Sequence, residues 1–157
     1  SFHVNFGCKA MKKLELFKVD CPSVSSINLH GLNDKLPEWG SDRLSKLAKL
    51  DLEMATLMEG DIKFIGKLPQ LCILRIKQLQ DPELHFHVLV NGEEDNCYPK
   101  VKVLEIACSS SSSSFHVNFG CKAMKKLELF KVDCPSVSSP QFSGLEHLFE
   151  LKEFLRN

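Results

Sequence analysis

A short motif, LxxLxL, in which L is an aliphatic residue and x is any residue, recurs along the whole chain and restricts what it can fold into. It reads as Met11, Leu14, Leu16; Val24, Ile27, Leu29; Leu47, Leu50, Leu52; Leu71, Leu74, Ile76; Val101, Leu104, Ile106; and Met124, Leu127, Leu129. A weaker instance is Leu151, Phe154, Arg156. The starts lie 13, 23, 24, 30, 23 and 27 residues apart. Successive side chains of a strand point to opposite sides, so the last two aliphatics of each motif face inward while their neighbours face out. One short strand per motif cannot cover its own apolar side, but stacked turns share a core. The expected architecture is therefore α/β: a single solenoid over residues 1–157, with a curved parallel sheet on the concave side and short helices and loops on the convex side.

Self-similarity also exists at a coarser scale. Residues 1–26 reappear letter for letter at 114–139. Diverged structural repeats keep only their buried letters, so identities that include Lys, Ser and His are not a product of packing. Recent duplication or splicing accounts for the copy, and the 13-residue gap, which falls where the first copy ends, favours a spliced junction near 26/27. The chain opens on Ser-Phe-His-Val-Asn without Met and is expected to be a fragment or processed piece.

Between motifs the character changes. Leu36-Pro37-Glu38-Trp39-Gly40 is a turn-rich return, and Met58 to Gly66 is expected to form one or two helical turns. Asn91-Gly92-Glu93-Glu94-Asp95-Asn96 carries surface turn chemistry. The six serines 109–114 have too little apolar area to fold alone and are expected to be a flexible loop. End turns need capping, and Phe2, Val4 and Phe6 at one end and Leu145, Leu148 and Leu151 at the other are expected to be partly uncovered.

Charge and motif content remove several function classes. Twenty basic and twenty acidic residues give a formal net charge of zero, so no field draws the chain to nucleic acid or an anionic membrane. No stretch reaches the roughly 20 apolar residues that cross a bilayer as a helix. GxxxxGK, GxSxG, HExxH and CxxC are all missing, so no catalytic residue, cofactor or metal site is expected and the chain reads as a non-enzyme. His85 and His87 flank Phe86 and fall on one side of a strand; they are read as an exposed pair opposite a buried Phe86 and Val88 rather than as metal ligands. The seven cysteines, an odd number without close grouping, read as free thiols in a reducing, cytoplasmic setting. Among them Cys72 and Cys108 are expected to pack, and Cys21 and Cys134 to fill the small position at a strand end.

The spacing is that of leucine-rich repeats. A closer resemblance lies in Leu36-Pro37-Glu38-Trp39, followed by Leu44 to Leu52, Asp61-Ile62, Leu68-Pro69-Gln70-Leu71 and Leu74-Arg75-Ile76. Tyr98 to Ile106, Met124 to Leu129, Gly144 to Leu148 and Leu151-Lys152-Glu153 continue it. These blocks, in this order, resemble the repeat region of cereal, rice-like disease-resistance proteins of the coiled-coil, nucleotide-binding, leucine-rich-repeat family. The resemblance implies a protein partner, either a pathogen effector or a guarded host protein. It also implies contact with a nucleotide-binding domain that this chain does not contain. Arg156 at an aliphatic position departs from the pattern. The competing reading is the substrate-binding repeat domain of a ubiquitin-ligase adaptor of the F-box type.

Residues that flank the inward pair should project from the concave sheet. They include Lys13, Glu15, Phe17; Lys49, Asp51, Glu53; Ile73, Arg75, Lys77; Val103, Glu105; and Lys126, Glu128, Phe130. Exposed aromatics and arginine dominate interface energetics, so Phe17, Ile73, Arg75 and Phe130 are the expected anchors, with Lys77, Val103, Glu105, Lys126 and Glu128 around them.

Overall fold

The computed structural model describes residues 2–6, 24–32 and 44–157. Seven parallel strands form the main sheet: β1 (Phe2–Phe6), β2 (Val24–Leu32), β3 (Lys49–Met54), β4 (Ile73–Leu79), β8 (Val103–Cys108), β10 (Leu129–Asp133) and β12 (Glu153–Arg156), in that spatial order. Neighbouring strands are separated in sequence by one turn of the chain, as a solenoid requires. Its period is visible in the backbone. The residue before each strand donates to the equivalent residue one turn earlier: Ala48 N to Ser25 O, Cys72 N to Ala48 O, Lys102 N to Cys72 O, Glu128 N to Lys102 O and Lys152 N to Glu128 O, all at 2.8–2.9 Å.

This ladder fixes which side chains are equivalent. Ile27, Leu50, Leu74, Leu104, Phe130 and Phe154 form one inward row, and Leu29, Leu52, Ile76, Ile106, Val132 and Arg156 the next. Four of the motifs therefore fold as the pattern predicts. The motif at Met124 does not: Met124 and Leu127 are buried, but the inward pair of its strand is Phe130 and Val132, not Leu127 and Leu129. With that frame the starts from Val24 onward lie 23, 24, 30, 26 and 24 residues apart, a more even period than the aliphatic-only reading gives. The first motif, Met11 to Leu16, and the return at Leu36 to Gly40 lie outside the described residues.

The opposite side of the core holds more strand than expected. One helix, α1 (Glu59–Gly66), sits where Ile62 and Ile65 announced it, and both are buried. Further along, β5 (Glu83–Phe86), β9 (His116–Phe119) and β11 (Gln141–Ser143) make a second parallel sheet in the order β11-β9-β5. The reason is period-2 alternation: Leu84, Phe86, Val117 and Phe119 point into the core while Glu83, His85, His116 and Asn118 point out. Leu148 is buried, and Leu145 and Leu151 pack half-buried against the core. The β6 (Val88–Val90) and β7 (Glu93–Asp95) hairpin turns at Asn91 and Gly92, both with positive φ, which is the chemistry this dipeptide favours.

Aromatic packing fills the later turns. Phe86 stacks on Phe119, Phe119 meets Phe130 edge-on, and Phe130 stacks on Phe154 at 5.0 Å between centroids. Arg156, the polar intruder at an aliphatic position, lies over the rings of Phe142 and Phe154 at 5.6 and 5.5 Å. A guanidinium against ring faces covers apolar surface that a leucine would otherwise take.

Two expectations need correction. The serine run is not loose: Ser109 N donates to Leu79 O, Ser112 Oγ donates to the same carbonyl, and Ser136 Oγ donates to Ser112 O at 2.7 Å. Hydrogen bonding supplies the order that apolar burial does not. Nor are all cysteines free. Ala107 pairs with Asp133 across β8 and β10, so the next residues, Cys108 and Cys134, meet with Cα atoms 4.7 Å apart and form a disulfide. Their separation in sequence hid a contact that the register creates. Cys72, Cys97 and Cys121 are free thiols.

Candidate binding face

The outward side of the main sheet presents two rows whose composition follows directly from the register. The first is Ser26, Lys49, Ile73, Val103, Leu129 and Glu153. Its centre, Ile73, Val103 and Leu129 on three adjacent strands, is a half-exposed apolar stripe. The second row is Asn28, Asp51, Arg75, Glu105, Lys131 and Leu155. Here charges alternate across the strands, the arrangement in which directly opposed side chains attract.

Arg75 sits at the middle of that row. Its Nε donates to Glu105 Oε2 at 2.8 Å, and its terminal nitrogen lies 3.9 Å from Asp51 Oδ1. Lys49 Nζ approaches the other Asp51 oxygen at 3.5 Å. Arg75 and Glu105 are each between a quarter and a third exposed, so their pairing is only partly screened by water. Asp51 is more covered, and its Oδ1 accepts no hydrogen bond. The arginine is thus an ion-paired element of the face, held flat by two neighbours, and not a side chain free to reach outward.

Other expected anchors fall differently. Ile73, Val103, Arg75 and Glu105 share the open face, with Lys77 exposed beyond them. Phe130 does not. It is 0% exposed, boxed in by Phe119, Phe142 and Phe154, because the strand lies three residues later than aliphatic spacing suggests. Glu128 precedes the strand and lies at the level of Lys102 and Cys72, its carboxyl accepting from Lys152 Nζ at 2.7 Å. That ammonium holds the Glu128 carboxyl below the usual carboxylate range. Lys126 is exposed earlier in the same turn, off the strand. Phe17, Lys13 and Glu15 lie outside the described residues. The residues missed were Leu129, Lys131 and Asp133, which the one-frame error had turned inward or left aside.

At the C-terminal ends of β4, β8 and β10 the rows border a cleft of about 270 Å³. Arg75, Lys77, Glu105, Ala107, Lys131 and Asp133 line it. Ala107 lines it with a methyl, directly across from Asp133 in the strand register and beside Lys77.

Across the core, the outward side of the smaller sheet carries histidines. His85 Nε2 lies 3.1 Å from Glu83 Oε2, and His116 Nε2 lies 2.9 Å from Ser143 Oγ. His85 and His87 are half-exposed opposite buried Phe86 and Val88, the placement expected of them. Among the described residues no three His, Cys, Asp or Glu side chains are arranged to hold a metal ion.

The stacked turns, the strand per turn and the inter-turn backbone ladder agree with the comparison against known families. A family model described as a leucine-rich repeat region matches residues 1–155. The chain belongs to this leucine-rich-repeat family. No curated protein and no solved structure matches it significantly. Leucine-rich-repeat solenoids typically serve as non-catalytic scaffolds for protein–protein interaction, and the in-register outward rows give this one an extended surface for that purpose. No helix among the described residues is long and apolar enough to cross a membrane.

Proposed function

We propose that this leucine-rich-repeat chain is the recognition region of an intracellular plant immune receptor, binding a pathogen effector or a guarded host protein through the open face of its main sheet. The observation that carries the binding part is the apolar stripe Ile73, Val103, Leu129 lying beside the charged row Asp51, Arg75, Glu105, Lys131. An apolar centre with a polar margin is the anatomy of a protein interface. The resemblance of the Leu36 to Ile76 and Tyr98 to Glu153 blocks to cereal disease-resistance proteins supports the immune part. It also supports an intramolecular partner, the nucleotide-binding domain of the same receptor, and a role in recognition instead of catalysis. On this reading the exact copy of 1–26 at 114–139 reflects a spliced junction near 26/27.

Two measurements test the proposal. The first is the sequence of the full transcript: an upstream P-loop nucleotide-binding domain is expected, whereas an upstream F-box would move the chain to the ubiquitin-ligase adaptors. The second is a leaf-cell response assay with candidate effectors, in which Ile73→Glu and Leu129→Glu should abolish recognition while leaving the fold intact by circular dichroism. A cytoplasmic protein would keep Cys108 and Cys134 as thiols. Recovery of that pair fully oxidised from thiol-trapped cells would overturn the cytoplasmic placement.

A further inference from the structure

We infer that the cleft floored by Ala107 is a socket for one acidic side chain of the partner protein, a glutamate or aspartate seated between Lys77 and Lys131. This rests on the reading of the open face as a protein-binding surface and names the chemistry of one contact on it.

The volume comes first. About 270 Å³, open to solvent, is below the range of about 300–1,000 Å³ typical of pockets that enclose small molecules, so the cleft suits a single side chain presented by a larger partner. It exists because Ala107 stops at Cβ between strands whose outward residues are long.

Charge then selects the occupant. Of the charged side chains around the cleft, Arg75 and Glu105 neutralise each other through the 2.8 Å bond. Two ammonium groups and one carboxylate are left: Lys77, Lys131 and Asp133. Neither lysine has an ion-pair partner among the described residues, although Lys131 stands directly across from Glu105 in the strand register. Arg75 occupies that glutamate from the other side, so the cross-strand partner Lys131 would otherwise use is taken. Asp133 is exposed at the end of β10 and is outnumbered. A carboxylate entering over Ala107 would accept from both lysines in a site already part-shielded from water, where charge-assisted hydrogen bonds are strongest. A lysine or arginine entering there would meet the excess positive charge.

The floor is also fixed. Ala107 pairs with Asp133 in the register that joins β8 to β10 beside the cleft. The socket's two sides cannot separate without breaking that strand pairing.

The test uses the full chain, isotope-labelled, and the blocked peptides acetyl-Gly-Ser-Glu-Ser-Gly-amide, its Gln counterpart and its Lys counterpart, with inorganic phosphate as a separate ligand. Saturable shifts of the Ala107, Lys131 and Lys77 amides are expected with the Glu peptide, at least about tenfold weaker binding with Gln, and none with Lys. Lys131→Glu and Lys77→Glu should each lose the Glu-peptide response, and Lys131→Glu should gain one to the Lys peptide. Ala107→Leu, which fills the socket without changing charge, should abolish both. Equal response to Glu and Gln peptides, binding that survives Ala107→Leu, or phosphate binding there as tightly as the Glu peptide would each overturn the socket. The broader reading fails separately, through Ile73→Glu and Leu129→Glu leaving recognition of the identified partner unchanged.

Discussion

Phe130 and Leu129 are adjacent letters that the fold sends to opposite sides of the sheet, and replacing each with alanine decides the frame of the turn that carries β10. Phe130 is wholly buried and touches three other rings, with centroids 5.0–5.6 Å away. A phenylalanine buries roughly 150–250 Å², worth about 4–6 kcal/mol at about 25 cal/mol per Å². Alanine keeps a fraction of that and leaves a cavity among rigid rings that cannot collapse, so Phe130→Ala should cost about 3–5 kcal/mol. Leu129 faces out and is half-exposed, and Leu129→Ala should cost less than about 1 kcal/mol. Urea unfolding of the two variants, followed by far-ultraviolet circular dichroism, gives the comparison. A small loss for Phe130→Ala with a large one for Leu129→Ala would put the chain in the other frame and remove Leu129, Lys131 and Asp133 from the binding face.

Other perturbations probe separate parts of the molecule. Gly144 has φ +80°, and a Cβ there would come within 1.9 Å of the Phe119 carbonyl oxygen, so Gly144→Ala should lower stability by about 2–4 kcal/mol in the same urea assay. The Cys108–Cys134 bond spans 26 residues, and Cys108→Ser should cost about 3.5 kcal/mol relative to the oxidised chain by the loop-entropy relation, with no difference in dithiothreitol. Tyr98 is buried and its hydroxyl donates to Ile62 O at 2.8 Å, so Tyr98→Phe removes a buried hydrogen bond at a cost of about 1 kcal/mol, read from the urea midpoint. Burial pushes the Cys97 thiol up to about 11, so at pH 8 the native chain should alkylate at Cys97 only after unfolding, as mass spectrometry of iodoacetamide adducts would show.

Much of this fold could be read from aliphatic spacing, and the exceptions have identifiable causes. Leu50/Leu52, Leu74/Ile76 and Leu104/Ile106 are buried as the aliphatic spacing predicts. In the segment Met124-Lys-Lys-Leu-Glu-Leu-Phe-Lys-Val132 two frames are apolar, and the choice rests on Phe119, Phe142 and Phe154, which come from other turns. The binding face inherits that limit. Ile73, Arg75, Val103 and Glu105 were visible because their strands were, whereas Leu129, Lys131 and Asp133 needed the register. That Arg75 is engaged by Glu105 was invisible for a different reason, because the partners are 30 residues apart. The second sheet leaves a signal in the alternation of Glu83 to Phe86 and His116 to Phe119.

The duplicated segment separates local from contextual causes in one molecule. Phe-His-Val-Asn-Phe occurs at 2–6 and at 115–119, an identical string with a strand's alternation, and it is a strand in both places. Yet at 2–6 it pairs with β2 in the main sheet, and at 116–119 it lies in the smaller sheet between β5 and β11. Local sequence sets the conformation, because period-2 alternation and β-branched or aromatic residues suit a pleated surface wherever it is. Which sheet receives it is set by neighbours. At 115–119 the segment follows a serine turn pinned to Leu79 O and is flanked by Leu84 and Phe86, whose partners in register are Val117 and Phe119. At 2–6 the strand beside it is Val24–Leu32. Moving the serine run is therefore the informative change: deleting Ser110 and Ser111 should shift the 116–119 amides in NMR spectra and leave the Glu105 amide in the main sheet unmoved. Unshifted 116–119 amides would mean that the alternation alone selects the sheet.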